Sequence, residues 1–386
     1  MAAPARLQVV SLFVAYGVAG LFWGAFAAST PEFQARAGLD AAGFGLALGV
    51  MPLTGLPAMQ VFGRLLHRIE TLAIPVALGF FALGLVMLGV ARGMAGFVAA
   101  LAVLGGASGA LDIALNNRTA RIEEATGLRL FNRTHALFPF AMLLASAGTG
   151  WVRDTGAAAA PLFAGLALVF AAAALLERHA GRGAVSSDPA AGETPARRAP
   201  LGFGLAILAA MAALGAFQEG SSQAWTAIFV ETERGGSAAQ GGLAAAAFIL
   251  GLSLGRLGAH ELERRLPPVA TVRLAALLGA AGFAALAADL PPALLLPVFL
   301  LAGVGVGPVE PAVFRAVSRR GPVEGRGARL ATVTGIAYLG YLLSPPALGL
   351  VAEAAGYPAL WLAAGAAALI VVVLTLLVPR GDARDS

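Results

Sequence analysis

The chain of 386 residues has no cysteine and no lysine, and only 12% of it is charged. Without cysteine there is no disulfide framework, no thiolate nucleophile and no cysteine metal site. The missing lysine leaves all 26 basic residues as arginine, a bias of composition with no mechanistic content. Soluble domains carry roughly a quarter charged residues, so this low a charge excludes an ordinary soluble multidomain protein. The net charge of +5 and the pI near 10.5 do not indicate nucleic acid, because the arginines are spread over short connections and form no patch.

Apolar length is abundant. The chain is 59% hydrophobic with a mean hydropathy of +0.82, and its 50 glycines and 22 prolines are tolerable in membrane helices, where neighbours re-satisfy the backbone. A membrane helix needs about 20 mostly apolar residues. Twelve stretches qualify: 7–29, 41–63, 72–91, 94–117, 132–152, 157–176, 203–230, 238–258, 269–288, 292–314, 329–351 and 357–379. The first follows Arg6 but is longer than a signal-peptide core of ~7–15 residues, so it is expected to be retained. The longest connection, "ERHAGRGAVSSDPAAGETPARRAP", is polar and unpatterned and reads as a flexible linker. The expected domains are therefore a six-helix bundle over 1–177, a cytoplasmic linker over 178–200 and a second six-helix bundle over 201–386.

Charge sets the expected orientation. With both termini cytoplasmic, 22 of the 26 arginines fall on the inner side, and only Arg36, Arg92, Arg153 and Arg234 on the outer. That satisfies the positive-inside rule and places the chain in a cytoplasmic membrane, expected to be a bacterial inner membrane.

The halves echo each other. Gly24-Ala-Phe26 matches Gly215-Ala-Phe217, Gly63-Arg-Leu65 matches Gly255-Arg-Leu257, Gly109-Ala-Leu-Asp112 matches Gly307-Pro-Val-Glu310, and Arg129-Leu130 matches Arg329-Leu330. The matches keep one order and their offsets drift by loop-sized steps. Equivalent spans six apart cross in the same sense, an arrangement of secondary transporters with a site near the midplane between parallel repeats.

With "GRLLHRIET" (63–71) and its degenerate echo "GRLGAHELERR" (255–265), the chain resembles the major facilitator superfamily, whose 2–3 loop carries a G-x-L-x-D-R-x-G-R type motif. Gly63, Arg64, Arg68, Gly255, Arg256 and Arg264 are the candidate gating residues; His67 stands where the family has Asp. Within the superfamily the chain is similar to the fucose-permease-like branch and its bacterial inner-membrane relatives, through "GALDIALN" (109–116), "FQEGSSQAW" (217–225) and "YLGYLLSPPALGLVAE" (338–353). That branch carries Asp before the seventh-span Trp, where this chain has Ala224. The resemblance implies an all-α membrane protein of twelve transmembrane helices in two pseudo-symmetric bundles, and favours a neutral hydroxylated or sugar-like solute.

Three carboxylates fall inside spans: Asp112, Glu219 and Glu310. Charge in hydrocarbon costs at least ~2.5–3.5 kcal/mol, and such groups face a bundle interior or water. No arginine is expected mid-span to pair with them, which makes them the proton-coupling candidates and disfavours anionic solutes. Each also has a structural reading. Glu219 would bond a neighbouring helix, Asp112 would pair with Arg133 or His135, and Glu310, between Pro308 and Pro311, would line an entry path. Ser108, Asp112 and Asn116 form an i, i+4 stripe, and Gly220 is expected to weaken the seventh span beside Glu219. The substrate-binding candidates are Asn116, Gln218, Ser222, Gln223, Trp225, Tyr16, Trp23, Tyr338 and Tyr341, although amides and hydroxyls also join membrane helices to one another. The glycine-rich runs at 105–109 and 303–307 read as close helix packing.

Enzyme signatures fail. "HELER" (260–264) lacks a second His, the histidines at 67, 135, 179 and 260 lack metal-ligand spacing, "GVGVGPVEP" is no dinucleotide fingerprint, and there is no Walker motif. The Asn117 and Asn132 glycosylation patterns fall on the cytoplasmic side. The expectation is a monomeric, non-enzymatic carrier with no cofactor or metal, whose partners are a small-molecule solute, protons and membrane lipids. Its rivals are proton-driven efflux of lipophilic cations and a receptor that no longer transports.

Overall fold

The computed structural model describes residues 3–181, 201–320 and 325–378. The helices are α1 (Ala3–Ala37), α2 (Ala41–Leu48), α3 (Val50–Val90), α4 (Gly93–Thr126), α5 (Phe131–Asp154), α6 (Ala159–Gly181), α7 (Phe203–Ile228), α8 (Ala238–Leu262), α9 (Pro268–Ala287), α10 (Pro292–Val306), α11 (Val309–Ser318) and α12 (Arg326–Leu377). A π-helical turn, Phe229–Glu233, continues α7. No strand occurs among the described residues. The expected linker begins inside α6, which runs on to Gly181; residues 182–200 lie outside the described residues.

Among the described residues, eleven helical segments are long and apolar enough to cross a membrane. The twelfth expected span is inside the last of them. At 52 residues α12 would be about 78 Å long, against a hydrocarbon core of about 30 Å. Gly356, at φ 81 and ψ 167, divides it where the eleventh and twelfth spans meet.

Hydropathy placed the fourth span's end too early. The chain stays helical past Arg118 and Arg121 because Ala, Arg, Ile and Glu all support a helix. It stops at Gly127, whose left-handed φ of 68 lets its N–H bond to the Glu123 carbonyl. The second span begins in α2 and continues into α3, which passes to the third span without a loop and is divided at Ile69 (φ −121, ψ 23), where two helices meet at a kink. Gly63, Arg64 and Arg68 thus lie on a helix and not in a loop, and so do Gly255 and Arg256 on α8. Of the six gating candidates only Arg264 falls in a turn, following α8.

The chain forms two compact units. One comprises the first six spans with Ala227–Ala246; the other comprises the remainder. In the first, a relay of rings fills the space between helices: Phe22 to Phe81 at 5.0 Å, Phe81 to Phe170 at 4.9 Å and Phe33 to Phe163 at 5.1 Å. At one end of this unit Arg153 grips both carboxylate oxygens of Glu231, at 2.8 and 3.1 Å, and donates to the Ala28 carbonyl. In the second unit, Leu208, Met211, Val309, Val313, Val333 and Val371 belong to one buried core.

The glycine runs set the helix spacing, as their sequence suggests. A Cβ on Gly109 of α4 would overlap the Gly55 carbonyl oxygen of α3, and one on Gly307 would overlap the Leu252 carbonyl oxygen of α8. Small residues let membrane helices meet backbone to backbone, and the second unit repeats the device at the position equivalent to the first. Gly109→Ala is therefore expected to destabilise the protein by about 1–3 kcal/mol, the usual cost of overpacking. Gly106→Ala, where nothing lies within 4 Å of the added carbon, serves as the control. Thermal unfolding in detergent reads both, and equal unfolding temperatures would contradict the packing account.

Candidate functional site

The second unit gathers charge around α7. This helix runs unbroken through Gly220, contrary to the expected weak point. The glycine is there for contact: a Cβ would sit 3.3 Å from Tyr341 and 3.4 Å from Ser344 of α12, and Ser221 Oγ meets Ser344 Oγ at 3.0 Å. One helical turn before Glu219, Gly215 leaves room for Glu310, whose Cγ would lie 3.5 Å from a Cβ at that position. Glu310 lies in the first turn of α11, just after the Gly307-Pro308 step that separates it from α10 while keeping helical dihedrals.

Glu219 has a basic partner, which corrects the expectation of an unpaired carboxylate. Arg256 Nη2 donates to Glu219 Oε2 at 3.0 Å, and Gln223 Nε2 donates to Oε1 at 3.3 Å. The Glu219 side chain is 15% exposed and that of Arg256 is 36% exposed. Glu310 lies within electrostatic reach of both, yet makes no ion pair or hydrogen bond among the described residues. The buried Arg256 Nε–H has no acceptor. One carboxylate is thus paired with the guanidinium, and a second lies near it without an ion pair among the described residues. The argument against anionic solutes from a missing cation fails with this pairing.

The first unit holds a second polar chain. Tyr16 donates to Asn116 Oδ1 at 3.2 Å and meets Thr119 Oγ1 at 3.3 Å, and Asn116 Nδ2 donates to Asp112 Oδ1 at 3.2 Å. This is the i, i+4 stripe expected of α4. Of the two partners considered for Asp112, His135 faces it electrostatically. Its ring lies 5.5 Å from Tyr16 and stacks on Phe131 at 5.3 Å, and Nδ1 contacts the Phe131 carbonyl at 3.0 Å.

The remaining candidates separate by burial. Gln218, Ser222 and Trp225 are enclosed; Gln218 donates to the Leu214 carbonyl and Ser222 to the Gln218 carbonyl. Gln223, Trp23, Tyr338 and Tyr341 keep partial exposure, and Asp112 is exposed. Trp23 packs edge-on against Phe22 at 5.2 Å, and Tyr338 lies 6.4 Å from Tyr341.

The Major Facilitator Superfamily profile matches residues 12–327 and 205–386, and the chain belongs to that superfamily. An uncharacterized MFS-type transporter of Yersinia pestis is 30% identical over 355 residues, covering 91% of this chain and 90% of the relative. The membrane protein MosC of Rhizobium meliloti is 24% identical over 371 residues, covering 91% and 85%. Among solved structures, the nucleoside transporter NupG superposes with a TM-score of 0.75 at 12% identity, covering 97% of this chain and 99% of that one. A bacterial homologue of the iron transporter ferroportin gives 0.73 at 15% identity, covering 96% and 98%. The protein is thus a membrane transport protein and not an enzyme.

Proposed function

We propose that this protein is a secondary active transporter that moves a small neutral hydroxylated solute by alternating access, coupled to protons. The observation that carries the proposal is Glu310, a carboxylate without an ion pair among the described residues, near a Glu219 that Arg256 already holds. With both acids ionised the cluster holds one uncompensated negative charge, and one bound proton removes it. A carboxyl group that gains and loses a proton as its access to water changes can couple proton flow to reorientation of the carrier. Asp112, linked through Asn116 to Tyr16, is the equivalent acid in the first unit.

The partly exposed groups are amides and phenols: Asn116, Gln223, Tyr338 and Tyr341. These suit hydroxyl groups. Arg256 does not by itself recruit an anion, because Glu219 is already bound to it and Glu310 lies within its electrostatic reach. The fucose-permease-like motifs point to the same solute class. The arginine asymmetry supports cytoplasmic termini in a bacterial inner membrane, and the protein acts as a monomer. The same negative excess favours a second reading, proton-driven efflux of lipophilic cations.

A thermal-shift screen of the purified chain tests the solute class. The panel holds sugars, polyols and nucleosides, the last because one fold neighbour is a nucleoside transporter, together with amino acids, dicarboxylates and cationic dyes. Stabilisation by a sugar, polyol or nucleoside is expected, with uptake of that hit in liposomes. Stabilisation by the dyes alone moves the assignment to efflux. A hit that binds but shows no counterflow makes the protein a receptor.

A further inference from the structure

The second unit also carries a crevice outside the charged cluster. It has a volume of about 490 Å³ and opens between α8, α9 and the start of α11. Leu254 and Leu274 form open apolar walls, at 45% and 50% exposure. The end of α8 and the turn after it bring Glu261 and Arg265 to the lining. The Glu261 carboxylate is held by Arg264 at 3.1 Å, whereas Arg265 has no ion pair among the described residues. Thr271, also in the lining, is 1% exposed, and its hydroxyl has no hydrogen-bond partner among the described residues.

An apolar slot with one unengaged hydroxyl and one unengaged guanidinium is matched by an amphiphile with a long chain and an anionic head. The exposed leucines would face hydrocarbon, which excludes a water-borne anion, and Arg265 lies at the arginine-rich ends of the spans, where anionic headgroups concentrate. We propose that this crevice binds an anionic phospholipid, with an acyl chain between α8 and α9 and the phosphate against Arg265. Thr271 donates to an ester or phosphate oxygen. Gly255 and Pro308 line the crevice, one residue from Arg256 and two from Glu310, so the seated lipid braces the backbone that carries the charged cluster.

Native mass spectrometry of the full chain in mild detergent tests this, with phosphatidylglycerol and phosphatidylcholine of identical acyl chains as probes. Phosphatidylglycerol should be retained about fivefold better, the size of one arginine–headgroup attraction. Arg265→Gln should abolish that preference. Gly258→Trp should lower retention of both lipids without unfolding the protein, because Gly258 lines the crevice and nothing lies within 4 Å of a Cβ there. Equal retention of the two lipids, or a preference that survives Arg265→Gln, overturns the charged seat. Unchanged retention in Gly258→Trp overturns the crevice as the site.

Discussion

Glu310→Gln is expected to abolish accumulation of solute driven by a pH gradient and to leave solute exchange running. Glutamine keeps the size and hydrogen-bonding shape of the side chain but cannot ionise. Glu219 is fixed by Arg256 and Gln223. Glu310 has no such partner among the described residues, stands in the first turn of α11 and lies within electrostatic reach of the same guanidinium. It is therefore the acid with most freedom to exchange a proton. One pH unit across the membrane supplies about 1.4 kcal/mol per proton, or about tenfold accumulation. In the variant that accumulation should collapse to equilibration, while exchange of labelled for unlabelled solute stays close to that of the natural chain. Undiminished accumulation would remove Glu310 from the coupling.

Arg256→Gln should cost stability as well as transport. Removing one member of a buried ion pair costs about 3–5 kcal/mol because the other charge is left uncompensated. Here the arginine is 36% exposed, and water screens part of that loss. A cost of about 1–3 kcal/mol follows, seen as a fall in Tm of a few degrees. The double variant Arg256→Gln with Glu219→Gln should recover most of it, since the stranded charge is gone. If the double variant is no more stable than the single one, the arginine acts through packing and not through charge.

The membrane-spanning helices and the glycine contacts were legible because each rests on composition or period. A run of about 20 apolar residues has few alternatives, and Gly109 and Gly307 occupy equivalent places in a repeat. Helix ends were less legible. Hydropathy falls at the first arginine, whereas helix propensity persists to Gly127 and carries α3 through Gly63, Arg64 and Arg68 as far as Ile69.

The site was half legible. The stripe Asp112–Asn116 follows from i, i+4 spacing alone. The partner of Glu219 does not, because the contact joins residues 37 apart in sequence. The signal was still present: Arg256 lies within the eighth span at 238–258 as read from hydropathy, yet it was counted with the loop arginines that set orientation. An arginine inside a span needs a carboxylate, and Glu219 and Glu310 are the acids inside the expected spans of that half. His135 escaped notice as a neighbour of Tyr16 because a histidine near a span's end is also an ordinary interfacial residue. Gly220 misled because a glycine next to a polar run reads equally as a weak point or as a close approach, and only the position of Tyr341 and Ser344 decides.

Proton movement is the central claim, and it is measured most directly in proteoliposomes that hold a pH-sensitive dye, with the membrane potential clamped and no initial pH gradient. Adding the solute identified by the thermal-shift screen should acidify the lumen as solute enters, and Glu310→Gln should abolish that acidification while solute still equilibrates. Solute entry with no change of luminal pH in the natural chain, or acidification that persists in Glu310→Gln, would contradict the account.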